Sequence, residues 1–90
     1  MKLHHKGYIL VRLEQAQESW DDALIDDAMA EYGLKGTYWV NHFAIILDEL
    51  ASAGLISRED HRLDNITDRL IFKYSMSEFG RERMRDTGLL

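Results

Sequence analysis

Ninety residues with a formal net charge of −5, 46% hydrophobic and 30% charged side chains, and neither Cys nor Pro describe one small globular domain. That balance excludes a disordered tail, a disulfide scaffold and a thiolate metal site. No apolar run is long enough to span a bilayer, and "MKLHHKGYIL" lacks the segment and cleavage site of a secretory signal. A reducing cytoplasm is the expected compartment, with no membrane partner.

The charge is local. Glu18, Asp21, Asp22, Asp26, Asp27 and Glu31 fall in a stretch without Lys or Arg, and the rest holds ten acids against eleven bases. One element is therefore acidic, and the overall balance shows no basic footprint of the kind nucleic-acid domains carry.

The first element is a helix over "HKGYILVRLEQAQ", with Ile9, Leu10, Leu13 and Ala16 at helical spacing. Glu18 and Ser19 interrupt it, and Ser19 is placed to cap the next helix with Asp22 three residues on. In that helix, "WDDALIDDAMAEY", Trp20, Leu24, Ala28 and Tyr32 form one stripe, and Gly33 ends it. Thr37 is placed to cap a third helix, "YWVNHFAIILDELASA". Its wide stripe of Val40, Phe43, Leu47 and Leu50, flanked by Trp39 and Ile46, predicts a central position.

Gly54 closes the third helix and the period then changes. Leu70, Phe72, Tyr74 and Met76 alternate with Ile71, Lys73 and Ser75, predicting a strand whose partner runs from about Leu55 to Arg62 across the turn "LDNITD". A short helix capped by Ser77, with Phe79 and Met84 as apolar anchors, completes the chain. The expected fold is α+β: a single domain over residues 1–90, with a three-helix bundle, a two-stranded β-hairpin and a short C-terminal helix.

Two stretches at the joints resemble the winged helix-turn-helix superfamily, particularly the PadR-type and MarR-type regulators. "ILDELASAGLI" is similar to the end of the family's recognition helix and the strand after it. "FKYSMSEFGRERM" is similar to its second wing strand running into "Y-x-L-T-x-x-G-R", with Met76, Ser77, Gly80 and Arg81 in the corresponding places. The similarity covers about residues 7 to 85. Three features depart from the pattern: the connection "EYGLKGTYW" is longer or looser than the commonest tight turn, the large Trp39 falls near where a Val or Ile usually packs, and the third helix carries no Arg.

The resemblance implies a DNA-binding transcriptional regulator. Base edges would meet Lys35, Thr37, Tyr38, Asn41 and His42 on the third helix, and the backbone would meet Arg58, Arg62, Arg69 and Lys73 on the wing. The competing expectation is a protein-interaction module that keeps the same frame and docks through Asp22, Asp26, Asp27 and Glu31 on the acidic helix, or through the Tyr38/Trp39 region. The two readings make opposite demands on the cations: one continuous face away from the acidic helix for DNA, or dispersal among acids for protein docking.

The four histidines, His4, His5, His42 and His61, contain no i, i+4 pair, and no Cys is present, so no metal or other cofactor is expected. No Ser/His/Asp spacing or glycine-rich phosphate loop points to an enzyme, and no catalytic residue is assigned. Leu89 and Leu90 are apolar and terminal, which leaves a monomer and a weak homodimer both open.

Overall fold

The computed structural model describes residues 4–89 and is α+β, with four helices and a three-stranded antiparallel sheet. Helix α1 (His5–Ala16) buries Ile9, Leu10 and Leu13; α2 (Asp21–Tyr32) buries Leu24, Ile25 and Ala28; α3 (Thr37–Ser52) buries Phe43, Ile46, Leu47 and Leu50. These stripes meet in one cluster with Ile56, Tyr74, Met76 and Met84. Among the described residues no helix is long and apolar enough to cross a membrane.

The sheet corrects the expected two-stranded hairpin. Strand β1 (Glu18–Trp20) lies on β3 (Arg69–Met76), which also pairs with β2 (Ile56–Asp64), giving the order β1-β3-β2. Gln17, at φ 72°, breaks the helical run, and the next three residues complete the ladder on β3. Ser19 therefore faces Tyr74 in the ladder rather than capping α2. Trp20 occupies the cap without a side-chain bond, and Asp22 accepts from the Ala23 amide instead. Likewise Gly36, not Thr37, precedes α3, and Thr37 is its first helical residue.

A β-bulge in β2 between Arg58 and Asp60 reverses the side-chain alternation along that strand. Arg58 opposes Tyr74 before the bulge, whereas Asp60 opposes Lys73 and Arg62 opposes Ile71 after it. Arg58 and Arg62 thus emerge on opposite faces although they are four residues apart. The predicted inward face of β3 also holds only in part. Tyr74 and Met76 are buried, but Leu70 lies past the end of the core and is exposed, while Ile71 is buried from the other side.

Helix α3 stops on Gly54 for a local reason. At φ 80°, Gly54 donates to the Ala51 carbonyl while Leu55 donates to that of Leu50, satisfying two carbonyls of the last turn. The freed corner meets the start of α4 (Glu78–Thr87). Ser77 Oγ donates to the Gly54 carbonyl at 2.6 Å and accepts from the Gly80 amide at 2.8 Å, and the Ser77 amide donates to the Leu55 carbonyl. One serine caps α4 and ties it to the end of α3. Met84 anchors α4 as expected, but Phe79 is 51% exposed because it points away from this joint. Leu89 packs against the core; Leu90 lies outside the described residues.

Candidate functional site

The hairpin cations do not form one face. Arg58 crosses the ring of Phe72 at 4.4 Å, donates to Tyr74 Oη at 3.1 Å and pairs with Asp48 on α3. The Tyr74 hydrogen bond raises the pKa of Arg58, and burial raises that of Tyr74. On the opposite face Arg62 lies 4.5 Å over the Trp20 ring and reaches Asp22 at 3.4 Å, and Lys73 reaches Glu18 at 3.5 Å. Arg69 bonds Asp21 at 3.1 Å. All four thus face carboxylates, and three of those carboxylates come from β1 and the start of α2.

Asp21 is the buried charged side chain among the described residues, 6% exposed. One carboxylate oxygen takes the Arg69 guanidinium and the other accepts from the Phe72 amide at 3.2 Å. Its place in the first turn of α2 also suits the positive end of that helix dipole. Asp21 thus fastens α2 to the central strand.

The third helix presents a different surface. Lys35, Thr37 and Asn41 are exposed, Tyr38 is 71% exposed and Ile45 57%. No acid occurs between Lys35 and Leu47, whereas Asp48 and Glu49 follow. Sequence reasoning missed Ile45, and it missed the hairpin tip, where Leu63 and Leu70 face each other across the ladder and Ile66 is 95% exposed. The signal was present in the apolar residues beside "LDNITD", but the bulge hid which face they occupy.

The acidic residues are only partly available. Asp22 is engaged by Arg62, and Asp27 is held by Arg12 at 2.9 Å. Asp26 and Glu31 are exposed on α2, and Glu31 also interacts within the fold. The acidic helix is therefore a mixed surface, partly spent on internal pairing.

His42 faces inward to a partner that the sequence did not reveal. His5 Nδ1 lies 3.0 Å from His42 Nε2, bridging α1 and α3, with the rings of Tyr32, Trp39 and Phe43 around His5. Among the described residues no group of three or more His, Asp or Glu is arranged to hold a metal ion.

A hydrogen bond between two imidazoles needs one accepting nitrogen, so doubly protonated rings lose it and repel. Burial, then His42 and His4, lowers the His5 pKa below its ordinary 6.5. The folded state then binds fewer protons than the unfolded one, so the stabilising contribution holds above pH 6.5 and is lost as pH falls through the depressed value. Thermal melts from pH 8 to 5 should show a fall in Tm that the His5→Phe variant lacks; parallel profiles would reject the contribution. No protein-family model, no curated protein and no solved structure matches the chain.

Proposed function

We propose that the chain is a winged helix acting as a protein-docking module. Tyr38, Asn41 and Ile45 on α3, with Leu63, Ile66 and Leu70 at the hairpin tip, supply its contact surface. The winged-helix reading is supported by the antiparallel hairpin seated against α1, α2 and α3. The preferred partner surface is apolar at its centre and basic where it meets the exposed Asp26 on α2.

The carrying observation is the engagement of Arg58, Arg62, Arg69 and Lys73 by carboxylates. Exposed pairs are worth only about 0–1 kcal/mol each, so they are not locked. A cation that swings to a phosphate nevertheless leaves its carboxylate facing the same backbone, and duplex affinity is built largely from uncompensated phosphate contacts. Exposed Tyr and Ile side chains, by contrast, gain by burial in a partner's pocket.

A DNA-reading role is the second possibility, favoured by one feature. Lys35, in the loop before α3, and Thr37, Tyr38 and Asn41 in its first turns are exposed, without an acid among them, near the positive end of a helix dipole.

The docking role is tested by capture with immobilised wild-type chain and with Tyr38→Ala and Ile45→Asp. Both positions are exposed, so fold stability should change by about 0.5 kcal/mol or less. A protein retained by the wild type should be recovered at least tenfold less with either variant. Equal recovery would reject this surface.

A further inference from the structure

We infer a binding site for an amphipathic carboxylate, a free acyl or aryl acid, in the cleft between the start of α1 and α4. The cleft measures about 480 Å³, within the range of small-molecule sites. Its floor is apolar: Leu10, Leu55, Met84 and Leu89. Gly7 opens the wall on α1, where a glycine inside a helix costs about 1 kcal/mol against alanine.

The rim sets the sign of the ligand. Lys6, Arg83 and His4 line it, and no Asp or Glu among the described residues does, in a chain whose net charge is −5. Lys6 is shared with Glu49 at 2.7 Å. The Arg83 guanidinium has no ion-pair partner among the described residues, which sets it apart from the four hairpin cations. The Thr87 hydroxyl is turned back onto the Arg83 and Met84 carbonyls. An apolar body on the floor and a carboxylate at Arg83 would satisfy both halves of the cleft, and Arg offers a planar fork for that carboxylate. This site is independent of the α3 surface and of the docking role.

Calorimetric titration of the full chain with submicellar decanoate tests it, with amide NMR shifts to locate the ligand. Saturable binding that shifts Leu10, Leu55 and Met84 is expected. Arg83→Gln should weaken it at least tenfold, and decyltrimethylammonium should bind at least tenfold more weakly than decanoate. Gly7→Leu should abolish binding without lowering Tm, since leucine favours the helix and fills the cleft. No saturable binding, equal affinity for the two amphiphiles, or unchanged affinity in either variant would overturn the proposal. So would binding seen only after residues 1–3 are removed, which would assign the cleft to the chain's own start. A dimer that excludes decanoate would assign it to a second copy and would equally overturn the ligand site.

Discussion

Gly80→Ala should destabilise the protein by about 3 kcal/mol, against the sign that helix propensity gives. In an exposed helix the change would stabilise by about 1 kcal/mol. Gly80 instead sits in the first turn of α4 against the corner that ends α3. An added Cβ would overlap the Leu55 carbonyl oxygen, 2.9 Å from the Leu55 carbonyl carbon and 2.8 Å from Met76 Cε. The methionine tip can rotate away, but the backbone oxygen is held because it accepts from the Ser77 amide. Relief therefore requires α4 to move, which loosens the Ser77 cap and the buried Met84. Forced overpacking of this kind costs roughly 1–3 kcal/mol and occasionally more. At about 4–8 °C per kcal/mol for a domain this small, Tm should fall by on the order of 10–20 °C. An unchanged or higher Tm would mean that α4 does not pack at this corner.

Asp21→Ala should be of similar size, about 2–4 kcal/mol, by a different route. The substitution leaves the Phe72 amide without its acceptor at 3.2 Å, and an unsatisfied buried donor costs roughly 1–3 kcal/mol. It also removes the partner of Arg69 and a carboxylate from the first turn of α2. The ion pair itself adds little, because the Arg69 side chain is partly exposed and screened. Asp21→Asn, which keeps a side-chain acceptor for Phe72, should recover more than half of the loss. Calorimetric melts of the two variants separate the effects; equal losses would place the whole contribution in charge rather than in the amide bond. Faster exchange of the Phe72 amide in Asp21→Ala would mark the site of loosening.

Much of the local structure was legible because its causes are local. Apolar residues at helical spacing located the helices, and the glycines at 33 and 54 ended two of them. Ser77 was legible as a cap because the residue it serves is three positions away. The failures lie where a distant segment decides. Three residues of β1 carry too little pattern to announce a strand, and only β3, more than fifty residues on, makes them one. Ser19 and Thr37 have good capping chemistry, but neighbouring backbone took the cap positions. The β2 bulge defeats a period-two reading of that strand, so the faces of Arg58 and Arg62 escape it together.

The candidate site divides in the same way. Exposure of Thr37, Tyr38 and Asn41 follows from the α3 stripe and was readable, whereas Lys35, expected on the third helix, lies in the loop before it. The pairing of Arg69 with Asp21, of Arg62 with Asp22 and of His5 with His42 joins residues 48, 40 and 37 positions apart, beyond any spacing argument. The two arginine pairs carry most of the weight in the functional reading, since they decide whether the hairpin offers free positive charge.

Titration of the full chain with random-sequence duplex at about 20 mM salt probes that point most directly. If the hairpin cations are committed to Asp48, Asp22, Asp21 and Glu18, no saturable binding will appear at micromolar protein. Tight binding whose affinity falls steeply as salt rises would show those cations meeting phosphate, and would contradict the account.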